Sequence, residues 1–234
     1  MSDLVVALDI NGTIIDGDTF DPELLDSTSL TLTEPARELI TELTKRISID
    51  KQNIQVVVFT LGVDWPGIVK QIEDISGGVI SFDRGTGLMY VGRSAGTDPP
   101  AVFVRQLVED KSEKQPFEHD GIIYDGSNPK WRDPGPALSY ETFRERISGK
   151  HLVIRAVYNS HNAAVVGRED KTLAAKLLVS QLPVIVFDDH PGDWEVISPK
   201  QKIVKAVSPA NVTFKKGTTT NFCKELAQFV DSYF

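Results

Sequence analysis

Three apolar runs along the chain each end in a side chain that carries oxygen, and turn-forming residues follow each run. The apolar residues are continuous rather than alternating, as expected of buried parallel strands that helices cover on both faces. The carboxyl ends of parallel strands meet at one edge of a sheet, where open α/β sheets bind ligands. The sequence therefore predicts Asp9, Thr60 and the pair Asp188 and Asp189 at that edge. The runs are "LVVALDI" (4–10), "IQVVVFT" (54–60) and "LPVIVFDD" (182–189).

Amphipathic helical patterns lie between these runs. The segment "TEPARELITELTKRI" (33–47) offers Thr33 as an N-cap and Pro35 in the first turn. Its apolar residues share one helical face, which is expected to pack on the sheet. A second pattern, "EDKTLAAKLLVSQL" (169–182), carries a similar stripe. Alternating strands and helices predict an α/β core. The stripe of the first segment consists of Leu39, Ile40, Leu43 and Ile47.

The middle of the chain has a different character. Residues 76–159 contain short strand candidates around a glycine-rich turn, a predicted helix near 99–110 and a predicted strand near 120–124. This pattern is typical of a small α+β unit inserted into the α/β core. The predicted division is therefore a core formed by 1–75 and 160–234, with an inserted domain at 76–159.

Composition narrows the functional class. The chain has 234 residues and a net charge of −8, which disfavours a broad nucleic-acid surface. Cys223 is the only cysteine, so no internal disulfide forms, and a reducing, cytoplasmic location is expected. The first residues lack a signal-peptide pattern, and no run reaches the roughly 18 apolar residues of a membrane span. We expect no membrane and no nucleic-acid partner.

Four segments, in order, resemble the motifs of the haloacid dehalogenase (HAD) superfamily. A further segment, "ISGGVISFDRGTGLMYVG" (75–92), is similar to the start of the cap in Cof-type HAD phosphatases, whose cap also follows the second motif. The resemblance implies a Rossmann-like core with a cap, and hydrolysis of a small phosphorylated metabolite such as a sugar phosphate or a phosphoglycerate. The four motif-like segments are "DINGT" (9–13), "VVVFTLG" (56–62), "EDKTLAAKLL" (169–178) and "VIVFDDHPGDW" (184–194).

The resemblance also implies roles for individual residues. Asp9 is the nucleophile that becomes a phospho-aspartate. A carboxylate can approach an anionic phosphate only if cations offset the repulsion, and Mg²⁺, which prefers oxygen ligands, meets this need. The implied Mg²⁺ ligands are Asp9, the backbone carbonyl of Asn11, Asp189 and Asp193. The implied phosphoryl-binding groups are Thr60, the ammonium of Lys171 and backbone N–H groups around Asn11, Gly12 and Leu61.

Asn11 departs from the family pattern. HAD phosphatases have a second aspartate there, which protonates the leaving alcohol and activates water, and an amide cannot transfer a proton in this way. Loss of such a group typically lowers the rate by about 10²–10⁴-fold. The sequence leaves open a slow phosphatase, a chain with different chemistry, a non-catalytic relative that binds metal and ligand, and an introduced substitution. Asp188 and Gly192 also depart from the usual last motif, which has Gly and Asn at these positions.

Overall fold

The structure, a computed structural model, describes eleven segments of the chain. They contain two sheets, three α-helices and a short 3-10 helix over Pro191–Asp193. One sheet has seven strands and the other is a two-stranded antiparallel pair. The described residues are 4–15, 31–60, 65–82, 88–91, 102–105, 118–119, 122–123, 149–156, 182–194, 199–206 and 220–233.

The elements follow in chain order. The strands are β1 (Leu4–Asp9), β2 (Ile54–Thr60), β3 (Leu88–Val91), β4 (Val102–Arg105), β5 (Glu118–His119), β6 (Ile122–Ile123), β7 (Leu152–Ala156), β8 (Val184–Asp188) and β9 (Gln201–Lys205). The helices are α1 (Glu34–Ser48), α2 (Trp65–Ile75) and α3 (Phe222–Val230).

The large sheet has the order β4-β3-β7-β2-β1-β8-β9. β1 pairs in parallel with β2 on one side and with β8 on the other, and β7 and β9 continue the parallel arrangement outward. The predicted parallel α/β sheet is therefore confirmed, and it is consistent with a Rossmann-like fold. The chain passes from β1 to β2 on one side and later to β8 on the other, so the strand order reverses at β1.

Burial explains why the apolar runs become strands of this sheet. All six residues of β1 and all five of β8 are buried, so both faces of these strands are covered, as continuous apolarity predicts. α1 contacts both α2 and α3. Leu39, Ile40 and Leu43 of its predicted stripe lie in the core, and Ile47 is partly buried against it. The Oγ1 of Thr33 accepts a hydrogen bond from the Ala36 N–H at 3.4 Å, which confirms the predicted N-cap.

The middle of the chain corrects one prediction. Residues 102–105 form β4, an edge strand that pairs antiparallel with β3, whereas a helix was predicted near 99–110. The segment reads "VFVR", and its β-branched valines favour a strand once β3 offers a free edge. β5 and β6 form the separate pair. β3, β4 and β7 fall within 76–159 yet lie in the large sheet. The division into core and cap stays a prediction.

Side chains complete the sheet at the amino ends of β2 and β7. The backbone N–H of Val56 donates to Nδ1 of His151 at 3.0 Å, because β7 begins only at the next residue, Leu152. The side-chain amide of Gln55 donates to the Lys150 carbonyl at 2.6 Å. These two side chains provide hydrogen-bond partners for the Val56 N–H and the Lys150 carbonyl, which lie just before the first β2–β7 pair, Val57 and Leu152. Within the described part of the chain, no helix has the length and apolar character needed to cross a bilayer.

Candidate functional site

The carboxyl ends of β2, β1 and β8 lie side by side. Asp9 is in register with Phe59, and Leu8 is in register with Phe187, so Asp9, Thr60 and Asp188 end three adjacent strands at one edge. This edge is also where the strand order reverses. In open α/β sheets, ligands bind in the crevice at such a reversal. The edge is therefore the candidate functional site.

The turn after β1 is built around the carbonyl of Ile10. This carbonyl accepts hydrogen bonds from the N–H groups of Thr13, Ile14 and Ile15 at 3.4, 3.1 and 3.1 Å. Ile14 and Ile15 are almost completely buried, so they anchor the turn in the core. Asn11 lies in the turn and forms a bridge with Ile15. The apolar anchors leave the polar residues of "DINGT" at the sheet edge.

Thr13 links the turn after β1 to the turn after β8. Its buried hydroxyl donates to Oδ2 of Asp9 at 3.3 Å and accepts a hydrogen bond from the backbone N–H of Asp189 at 3.0 Å. Asp9 itself is 5% exposed. A buried carboxylate is stable only with such partners. One hydroxyl therefore sets the position of Asp9 relative to Asp189.

Gly12 allows the same two turns to approach closely. Its φ is +69°, a left-handed conformation that favours glycine. A Cβ atom at this position would lie 2.5 Å from Oδ2 of Asp189 and 2.9 Å from its Cγ. The motif resemblance implies that backbone N–H groups around Gly12 bind the phosphoryl group. The close approach that the structure shows is to the Asp189 carboxylate.

Asp188 is buried beneath the turn that follows β8. Its Oδ1 accepts a hydrogen bond from the His190 backbone N–H at 2.7 Å, and its Oδ2 accepts one from the indole Nε1–H of Trp194, also at 2.7 Å. Trp194 packs edge-on against Phe59, with ring centroids 5.1 Å apart and planes at 85°. These contacts connect the turn after β8 to the end of β2.

Three groups at this turn can hold a metal ion. One ligand atom from each of Asp188, Asp189 and His190 lies within 4.8 Å of the others. Nδ1 of His190 is 2.9 Å from Oδ2 of Asp189, whose side chain is 17% exposed. Carboxylate oxygens suit Mg²⁺, Ca²⁺ and Mn²⁺, whereas imidazole suits Zn²⁺ and other transition metals. The donor set therefore fits a divalent cation without selecting one.

The predicted site residues are described to different extents. Asp9, Asn11, Gly12 and Asp189 come together as set out above. Thr60 ends β2 at the same edge, and Asp193 ends the 3-10 helix after β8, each placed by its backbone. Lys171 and Leu61, together with the predicted helix at 169–182, lie outside the described residues apart from Leu182.

Sequence reasoning assigned no role to Thr13 or Trp194. It placed Asp188 at the sheet edge and interpreted it as a departure from the motif, without identifying its hydrogen-bond partners. Thr13 stands in the quoted "DINGT", where a hydroxyl directly after a glycine turn can return to the preceding acid. Trp194 closes the acidic segment "DDHPGDW", where its N–H is a donor close to several carboxylates. In both cases the residue was visible, but its partner depends on how the strands pair.

Comparisons of the chain with protein-family models, with curated proteins and with solved structures found no match.

Proposed function

We propose that this protein is a Mg²⁺-dependent phosphomonoester hydrolase of the HAD type, acting on a small phosphorylated metabolite such as a sugar phosphate or a phosphoglycerate. The observation that carries the proposal is the buried Asp9 carboxylate, joined through Thr13 to the backbone of Asp189 where the strand order reverses. The motif resemblance supports the same assignment. A cytoplasmic location remains part of the proposal.

Asp9 is the proposed nucleophile. Its carboxylate oxygen attacks phosphorus, the ester P–O bond breaks, and the leaving alkoxide takes a proton from solvent. Water then attacks the phospho-aspartate, releasing inorganic phosphate and restoring the carboxylate. Thr13 holds Oδ2 of Asp9, so the orientation of the carboxylate is set before substrate binds. Asn11 cannot relay protons in either step, which predicts slow turnover.

The proposed Mg²⁺ ligands are Asp9, the backbone carbonyl of Asn11, Asp189 and Asp193. Asp9 and Asp189 fit this role, because both are oxygen donors on turns that Thr13 and Gly12 bring together. A bound divalent cation supplies charge neutralisation between the carboxylates and the phosphoryl oxygens. Thr60, Lys171 and the backbone N–H groups of the turn bind the phosphoryl group in this proposal. In this proposal the cap that excludes water lies within 76–159, outside the strands β3, β4 and β7 that belong to the large sheet.

A second candidate is a non-catalytic protein that binds metal and a phosphorylated ligand in a sensing role. Asn11 favours this alternative, because ligand binding does not require proton transfer. The buried Asp9 carboxylate and the turn after β8 that can hold a metal ion are equally compatible with ligand binding alone and with catalysis.

A panel of phosphomonoesters with Mg²⁺, assayed on the natural sequence and on Asn11→Asp side by side, tests the proposal. Steady release of phosphate that disappears in Asp9→Asn supports the hydrolase. Metal-dependent ligand binding without turnover in either protein supports the sensor. Phosphate covalently trapped on Asp9, detected by mass spectrometry, identifies the missing acid as the cause of stalled hydrolysis.

A further inference from the structure

We propose that Asp188 and Trp194 form a positioning pair that fixes the 189–193 turn, and that divalent-cation affinity depends on this pair. The metal component rests on the proposed function. The positioning component rests on contacts within the described residues, so the two can be tested separately.

The first step concerns how Asp188 is used. Asp188 is 0% exposed, and a buried carboxylate without strong hydrogen bonds is costly. Each of its oxygens accepts a short hydrogen bond, at 2.7 Å, one from the His190 backbone and one from the Trp194 indole. Hydrogen bonds to ionised acceptors are roughly twice as strong as neutral ones. The geometry therefore assigns Asp188 the role of an internal anchor.

The second step concerns what the anchor holds. The bond to the His190 N–H spans Asp189, because donor and acceptor belong to the residues on either side of it. The bond to Trp194 reaches the far end of the 3-10 helix that ends at Asp193. Both ends of the turn that carries the two proposed acidic ligands are therefore attached to one carboxylate.

The third step concerns where the turn is held. The Trp194 ring packs on Phe59, and Phe59 is the register partner of Asp9. Trp194 thus fixes the turn relative to the strands that carry Asp9 and Thr60. Residues that orient metal ligands without touching the metal typically change affinity by about 10–100-fold when mutated.

The test uses Trp194→Phe, which keeps an aromatic ring next to Phe59 and removes the N–H donor together with part of the indole ring. His151→Phe is the control, because it also leaves an aromatic ring in place and removes backbone hydrogen bonds, to the Val56 N–H and to Val79, at the opposite edge of the sheet. Two quantities are measured in the full chain: Mn²⁺ affinity by calorimetry, and hydrogen exchange of the His190 amide by NMR. If Trp194→Phe does not fold, Asp188→Asn is the second variant, and exchange of the His190 amide alone decides the outcome, because Asp188 is also one of the groups that can hold a metal ion.

In Trp194→Phe we expect Mn²⁺ affinity at least about tenfold weaker and exchange of the His190 amide about tenfold faster. His151→Phe should lower stability and leave both quantities near wild type. Wild-type affinity and exchange in Trp194→Phe would overturn the positioning role, as would a His190 amide that exchanges in the wild-type protein as in an unfolded chain. If the wild-type protein binds no Mn²⁺, the proposed function fails, while the exchange rates still decide the role of the pair.

Discussion

The two edges of the parallel sheet bury polar side chains in different ways. At the amino edge, His151 and Gln55 each contact a backbone group of a neighbouring strand, Val56 N–H and the Lys150 carbonyl. At the carboxyl edge, two of the buried polar side chains are acids, Asp9 and Asp188, with Thr13 and Asp189 beside them. At the amino edge, polar side chains therefore complete the hydrogen bonding of the backbone. The carboxyl edge concentrates negative charge that the fold alone does not require.

This difference indicates a structural role for the polar side chains of the amino edge and a functional role for those of the carboxyl edge. A neutral imidazole or amide can satisfy a backbone group at modest cost, but grouped carboxylates repel each other and lose hydration on burial. A chain that keeps them supports them with dedicated donors, here Thr13, Trp194 and the His190 N–H. The carboxyl edge is therefore where substitutions should alter chemistry, and the amino edge is where they should alter only stability.

The largest effect is expected for Asp9→Asn. Without a carboxylate nucleophile, phosphate release should fall by roughly 10⁴-fold or more, to background. Thermal stability should be unchanged or higher, because the amide oxygen still accepts from Thr13 and one charge near Asp189 is gone. Phosphate release and thermal melting are measured together. Turnover that survives the substitution would remove Asp9 from the proposed mechanism.

Asn11→Asp should act in the opposite direction. Restoring a carboxylate that can protonate the leaving group and activate water should raise turnover by about 10²-fold or more. Initial rates over the phosphomonoester panel measure this. An unchanged rate would show that the missing acid does not limit the site.

Gly12→Ala and Gly77→Ala form a matched pair. Both glycines have positive φ, +69° and +58°, but the added Cβ meets the Asp189 carboxylate at Gly12 and nothing within 4 Å at Gly77. Each alanine should destabilise the fold by about 1–2 kcal/mol through its left-handed conformation. Only Gly12→Ala should also weaken Mn²⁺ binding. Urea unfolding and calorimetry measure the two quantities, and equal Mn²⁺ affinities would contradict a role for the close approach.

The smallest expected effect is a pH dependence of stability that comes from His151 at the amino edge. Burial lowers the pKa of His151 below its usual value of 6.5, against an opposing backbone hydrogen bond to Val79. The unfolded chain therefore binds a proton at a higher pH than the folded chain does. This contribution to stability is complete above pH 6.5 and is lost as the pH falls towards the folded pKa, by at most about 1.4 kcal/mol per pH unit.

Urea unfolding at several pH values checks this expectation. His151→Gln should flatten the acidic decline while leaving Mn²⁺ affinity at neutral pH unchanged. An acid dependence identical in the variant would assign the decline to other groups.

The sequence predicted β1, β2, β8 and α1 because their signals are local. Continuous apolar runs mark buried strands, and Thr33 with Pro35 marks the start of a helix, whatever the rest of the chain does. β4 was predicted wrongly because a four-residue edge strand takes its conformation from β3, its pairing partner, more than from its own pattern.

The links within the candidate site depend on long-range pairing. The hydrogen bond from the Asp189 N–H to Thr13 joins residues 176 positions apart. The hydrogen bond between the Val56 N–H and His151 likewise spans 95 positions. A residue type can be seen in the sequence, but its neighbour across the sheet follows only from the register. This is why the oxygen-bearing strand ends could be predicted while their connections through Thr13 and Trp194 could not.

The pairing of β1 with β8 has a consequence for biosynthesis. β8, the second neighbour of β1, is made some 180 residues after β1, and β2 and β7 are made between them. At a synthesis rate of about 5–20 residues per second, the backbone N–H and C=O groups along one edge of β1 wait roughly ten seconds or longer for their partner strand. During that interval the nascent chain exposes an unpaired strand edge, which is prone to aggregation.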